Sequence, residues 1–195
     1  MMFLVVVVVV AVAGAGGTGA APVPEFSHIL NGTCLNPRTQ PSLNYQKFSG
    51  RWVEAASKPN LFRTARQCAT VHFTVTDESV RRVTAGVDGR EKASSVTTLL
   101  HPQHDPATFS ISYFGLPVGS VSVLDTDYTS TACVYQCQQA TPTHKVEGVY
   151  VYARDLRDAA TARRRCKKVF ASQGLDVASI VPSPHPYHTC AAAAL

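Results

Sequence analysis

A chain of 195 residues, 45% of them hydrophobic, has room for one ordinary domain with a buried core and leaves little for a second. Its net charge of +5 comes with no nucleic-acid recognition motif, so nucleic acid is set aside as a partner. None of its 6 cysteines stands in a CxxC pair, which argues against a zinc site and leaves no metal-ligand set to propose.

Residues 1–13, MMFLVVVVVVAVA, are wholly apolar and run into the small-residue stretch GAGGTGAA. That order is a signal-peptide core followed by a cleavage region, with cleavage expected after Ala20 and a mature domain over 21–195. No Lys or Arg precedes the run, and a membrane anchor is the competing reading. A span, however, needs about 20 apolar residues, more than this stretch provides. The chain is therefore expected to be secreted. No later segment is apolar enough to cross a bilayer, and AAAAL after Cys190 is neither a retention nor an anchor signal.

Asn31-Gly32-Thr33 is a glycosylation acceptor whose occupancy the triplet leaves open. Cys34, Cys68, Cys133, Cys137, Cys166 and Cys190 all lie in the mature part. An even count in a secreted chain argues for three disulfides, in a pairing that arithmetic alone cannot choose.

From Arg51 to Arg154 apolar and polar residues alternate in short runs broken by Gly, Pro, Asp and Asn. This spacing predicts strands at 51–57, 68–76, 80–87, 93–100, 108–114, 119–125, 129–138 and 147–154. Eight strands with short connections suit an all-β, up-and-down antiparallel barrel, which leaves no edge strand exposed. After Arg154 the period changes: Leu156, Ala159, Ala160, Cys166, Val169 and Phe170 predict one amphipathic helix over 156–173, ended by Gly174. A Pro- and His-containing tail leads to Cys190. Positive charge gathers on this helix at Arg157, Arg163, Arg164, Arg165, Lys167 and Lys168. The residues admit a solvated face or an attraction to anionic surfaces.

Gly50-Arg51-Trp52 on the first strand, Thr126-Asp127-Tyr128 between the sixth and seventh, and Arg154 at the end of the eighth resemble the three sequence signatures of the lipocalins. The resemblance spans residues 34–190. Within that family, TDYxxxxCVYxC and the positions of Cys34, Cys68 and Cys190 look most like the invertebrate colouration proteins, the carotenoid-binding crustacyanins and the bilin-binding insect proteins. Val53 departs from the pattern, standing where many relatives carry an aromatic residue.

The resemblance implies a barrel with one closed end, an open mouth and a helix packed outside. Gly50, Trp52, Thr126, Asp127, Tyr128 and Arg154 would then seal the base, with the guanidinium stacked on the indole. Strand parity puts Cys133, Tyr135 and Cys137 on one face and Ala132, Val134, Gln136 and Gln138 on the other. Cysteines that pair with an outer helix must face outward, which sends the second set inward. From the closed end, Tyr128 to Cys133 climbs about 16 Å along a strand, and Leu156 to Cys166 about 15 Å along a helix. Cys133–Cys166 is thus supported by height. The resemblance suggests Cys34–Cys137 and Cys68–Cys190.

Parity anchored on Trp52 and matched to the family gives a lumen of Trp52, Glu54 and Ala56, then Val71, Phe73 and Val75, then Tyr150 and Tyr152. Phe109, Ile111 and Tyr113 are added from the fifth strand, and Leu61 and Phe62 from the mouth loop. These side chains either line a cavity for a lipophilic molecule or simply fill a small barrel. As binding residues we single out Glu54, Phe62, Val71, Phe73, Tyr113, Val134, Gln136, Tyr150 and Tyr152. Glu54 is an inward carboxylate, costly unless paired or protonated, that could meet a ligand N–H or a neighbouring Tyr or Gln.

No nucleophile stands beside a base, all cysteines can pair, and His72, His101, His104, His185 and His188 fall on an outward face or in loops. No catalytic residue is proposed. The sequence reading is a secreted carrier of a lipophilic small molecule, with a carotenoid or bilin as cargo and no required cofactor. Carriers of this kind often associate as homo- or hetero-oligomers. The alternative is an interaction protein in which the barrel is a scaffold and the basic helix or mouth loops bind a partner.

Overall fold

The computed structural model describes residues 29–113 and 116–192, the side chains of residues 113, 116 and 117 excepted. The expected signal segment 1–20 lies outside the described residues. In chain order the elements are β1 (Leu30–Asn31), α1 (Tyr45–Phe48), β2 (Gly50–Ser57), β3 (Gln67–Val75), β4 (Val80–Val87), β5 (Ala93–Pro102), β6 (Thr108–Tyr113), β7 (Leu116–Thr126), β8 (Thr131–Thr141) and β9 (His144–Ala153). A 3-10 turn (Leu156–Asp158) then leads into α2 (Ala159–Ser172), β10 (Val181–Pro182) and α3 (Tyr187–Ala192).

Each strand from β2 to β9 pairs antiparallel with the next, and β9 returns to β2 to close the barrel. The eight expected strands are all present, with ends displaced by a few residues. β1, α1, β10 and α3 were not foreseen, because two- to six-residue elements carry no periodicity to read.

Two cores share the barrel wall. Inside, Trp52, Phe73, Val80, Leu100, Phe109 and Val123 pack with Phe48 of α1. Outside, Tyr135, Val149 and Val151 meet Ala159, Ala162, Cys166 and Phe170 of α2. β8 is therefore buried on both faces over its first seven residues, as its unbroken apolar run from Ala132 to Tyr135 allows. Small wall residues Ala55, Ala56 and Ala153 let the helix approach closely. Leu156, expected on the buried face of the helix, is 49% exposed, because the 3-10 turn precedes α2 and turns it away. Gly174 at φ +76 ends α2: its N–H donates to the Ala171 carbonyl and that of Leu175 to Phe170, a Schellman cap with Leu175 packed against Phe170.

All three expected disulfides are present: Cys34–Cys137, Cys68–Cys190 and Cys133–Cys166. Beside the last of these, Arg165 holds Asp125 with two guanidinium nitrogens and reaches Asp127 at 2.9 Å through a third. Arg165 therefore ties α2 to the β7–β8 turn and is no part of a free basic face. Arg157 also meets a carboxylate, Asp155, but stays 89% exposed, so the exposed cations of residues 156–173 are Arg157, Arg164, Lys167 and Lys168. Arg165→Ala is expected to cost about 1 kcal/mol of stability, and Lys168→Ser less than about 0.5 kcal/mol. Urea unfolding of the two variants checks this, and equal losses would contradict the tether.

On the outer wall Glu147 accepts from Lys58 at 3.0 Å and from Lys145 at 2.6 Å. Burial raises its pKa, but the hydrogen bonds and charges of the two lysines outweigh this and hold the carboxyl below its ordinary range. Asp127 is also pushed up by burial and brought lower overall by the Ser130 hydroxyl and three turn N–H groups. A lowered carboxyl stabilises the fold above its unfolded pKa, and that stability is lost as pH falls through its folded pKa. Urea midpoints should hold from pH 7 to about 5 and drop below about pH 4, less steeply in Glu147→Gln. A wild-type midpoint unchanged below pH 4 would contradict it.

Candidate functional site

The closed end is built as the resemblance implied. Arg154 lies with its guanidinium carbon 3.7 Å from the Trp52 ring centroid. Its nitrogens donate to the carbonyls of Tyr128, Arg51 and Lys47 at 2.9–3.0 Å. The indole N–H donates to the Phe48 carbonyl at 2.8 Å, so α1 is drawn under the barrel as its floor. Thr126 and Asp127 act one step away: Thr126 accepts from the Tyr128 N–H, and Asp127 gathers the N–H groups of Thr129, Ser130 and Thr131. Tyr128, at φ 66, completes the turn.

Above this floor the lower barrel is filled. Phe73 packs on Phe48 in a tilted arrangement with centroids 4.9 Å apart and meets Tyr152 edge-on at 6.3 Å. Only about 10 Å³ of space remains among Phe48, Phe73 and Val134. Of the proposed binding residues, Phe73 and Val134 thus belong to the packed base. Glu54, Phe62, Val71, Gln136, Tyr150 and Tyr152 come together higher up. The side chain of Tyr113 lies outside the described residues.

That upper region is a polar belt under an open mouth. Glu54 Oε1 accepts from Ser57 at 2.9 Å, Arg63 at 3.1 Å and the hydroxyl of Ser183. The Tyr150 hydroxyl donates to Asn60 at 3.1 Å. Burial pushes Tyr150 and Tyr152 well above the ordinary phenol range, so both are neutral donors at any physiological pH. Gly148 is required here, because a Cβ would sit 2.6 Å from the Asn60 amide. Between the belt and the mouth loop a cavity of about 190 Å³ is lined by Leu61, Phe62, Thr84, Val96, Val118 and Gln136, among others. Leu61 is 51% exposed at its rim.

The expected lumen needs one correction. Ala56 packs in the outer core against α2, because a bulge between Glu54 and Ala56 shifts the register with β9 and reverses parity beyond it. Ser57 takes the inward place opposite Tyr150. Above Val53 β2 parts from β3, and β10 fills the freed edge of β2, which is how Ser183 reaches Glu54. Arg63, Arg82 and Thr98 were also missed. The pairing of Phe73 with Arg82 and of Arg82 with Thr98 places both inward, a parity that Val80 two residues earlier already carried.

Asn31 is exposed at the barrel's rim, and His72 faces outward as expected. Among the described residues no group of three or more His, Cys, Asp or Glu side chains could hold a metal, and no helix is long and apolar enough to cross a membrane.

Residues 49–185 match the model of the lipocalin / cytosolic fatty-acid binding protein family. The chain belongs to the lipocalin family. It is similar to apolipoprotein D of Macaca fascicularis, with 24% identity over 157 residues covering 75% of this chain and 79% of that one. Among solved structures it resembles apocrustacyanin C1, with a TM-score of 0.69, 18% identity and 85% and 97% of the two chains covered. It also resembles insecticyanin of the tobacco hornworm Manduca sexta, with a TM-score of 0.67, 15% identity and 83% and 91% covered. At these identities the likeness is one of fold. The solved structures that share its fold include the colouration proteins that the TDY–Cys pattern pointed to.

Proposed function

We propose that this lipocalin is a secreted carrier that holds one lipophilic small molecule in its upper barrel, with a carotenoid or bilin pigment as the leading cargo. The observation that carries the reading is the mouth cavity of about 190 Å³: it is walled by Phe62, Val96, Ile111 and Val118 and opens past Leu61. Burial of apolar ligand surface there is worth about 25 cal/mol per Å², and a disulfide-tied barrel needs little ordering to capture it. The cavity is smaller than the roughly 300–1,000 Å³ of typical ligand sites, so the cargo seats one end in the barrel and lays the rest along the mouth loop.

Secretion is supported by the three disulfides, and the pigment class by the colouration-protein fold likeness. Association into homo- or hetero-oligomers belongs to the same reading. The alternative, a scaffold that binds partners through its basic helix, loses ground because Arg165 is committed to Asp125 and Asp127.

The test is an absorption spectrum with mass spectrometry of the organic extract, on protein purified from its native source. A visible band with a carotenoid or tetrapyrrole mass is expected. A colourless protein carrying a sterol would reduce the reading to a general lipid carrier, and an empty one would overturn it.

A further inference from the structure

Among the described residues, one charged side chain in the lumen makes no ion pair. Arg82 points inward from β4, is 8% exposed, and lines both the inner recess and the mouth cavity. Its Nε donates to Thr98 Oγ1 at 2.9 Å and its Nη1 to Gln136 Oε1 at 3.0 Å. Both acceptors are neutral. Among the described residues Arg82 makes no ion pair, and its Nη2 has no hydrogen-bond partner. A guanidinium carries five N–H donors, so most of its capacity is unspent.

The other charges of the cavity make no ion pair with it among the described residues. Glu54 is the one carboxylate in the walls, and its Oε1 is taken by Arg63, Ser57 and Ser183. With Arg63 and Arg82 set against Glu54, the cavity walls carry an excess of one positive charge. An isolated charge in a barrel is expensive to bury. The Tyr152 hydroxyl lines the same recess and, among the described residues, makes no hydrogen bond, so a second donor stands free beside the guanidinium.

From this arrangement we infer that the barrel selects a lipophile ending in a carboxylate, whose acid group enters first and is held by Arg82 while its apolar body leaves through the mouth. The inference rests on the carrier reading and deepens it. Arginine suits the task because its planar fork offers a carboxylate two parallel, charge-assisted hydrogen bonds. The gradient of the site runs the same way: the belt at Arg82, Gln136 and Tyr150 is polar, whereas the exit past Phe62, Val118 and Leu61 is apolar. Of the two pigment classes, a bilin carries such acid groups and an unmodified carotenoid does not.

The test compares the binding of 11-(dansylamino)undecanoic acid with that of its methyl ester, followed by dansyl fluorescence. Wild-type protein should bind the acid roughly tenfold or more tightly than the ester, the scale of a hydrogen bond to a charged group. In Arg82→Gln the preference should collapse to within about twofold while ester binding persists. Equal binding of acid and ester by the wild type, or an undiminished preference in Arg82→Gln, overturns the inference and leaves the carrier reading standing. Failure of both probes to bind removes the carrier reading and the inference with it. The wild-type comparison decides even where the variant does not fold.

Discussion

Trp52→Ala is expected to lose about 3–5 kcal/mol of folding stability, the largest effect of any single change at the closed end. Trp52 is fully buried, lies 5.5 Å from Phe48 by ring centroid, and carries the Arg154 guanidinium over its ring. Removing the indole leaves a cavity where α1, β2 and Arg154 converge. It also takes the N–H donor from the Phe48 carbonyl that keeps α1 in place as the floor. Trp52→Phe should recover more than half of the loss, because a ring still fills the space. Urea midpoints of the two variants measure this. A Trp52→Ala loss below about 1 kcal/mol would mean that the base closes without its plug.

Glu54→Leu should cost about 3 kcal/mol, and adding Arg63→Leu should return a large part of it. The reason is that breaking a buried ion pair strands a charge, whereas removing both partners does not. Both side chains are nearly buried, Arg63 at 11% and Glu54 at 5% exposure, so the surviving guanidinium has little access to water. Ser57 and Ser183 lose their acceptor in the same step, and the C-terminal segment should loosen from β2. A double-mutant cycle in urea gives the coupling. Additive losses would show that Glu54 and Arg63 are independent, and that the belt is not organised around their pair.

The barrel was legible because β-structure writes itself as alternation, and the clustering of Trp52, Tyr128 and Arg154 was legible because three separated signatures met at one end. One disulfide was legible from geometry, since an outward Cys133 and a helix of known rise bring Cys166 alongside, whereas Cys34–Cys137 and Cys68–Cys190 were suggested by the family resemblance. What the pattern hid was a change of parity. The bulge at Ala55 falls in Glu54-Ala55-Ala56-Ser57, where two alanines fit either face, so nothing in the residues marks where inward becomes outward. Arg82 was hidden by expectation, since an arginine beside Arg81 in a strand reads as solvated. The strap from β10 to Ser183 was hidden because a two-residue strand has no period at all. The resulting site has a waist with two arginines, Arg63 and Arg82, where the residues alone pointed to apolar, aromatic walls with a few polar groups.

A carrier of this form seats its ligand above the belt, and the chain's single tryptophan lies below it as a built-in reporter. The decisive measurement is a titration with cis-parinaric acid while Trp52 emission is followed, in wild-type protein and in Thr84→Phe. Thr84 lines both the inner recess and the mouth cavity, so a phenyl ring there fills the site and leaves the base untouched. Saturable quenching at one equivalent in the wild type, with affinity lost at least tenfold in Thr84→Phe, is the predicted result. No saturable quenching, or the same curve for both proteins, would contradict a binding site in the upper barrel.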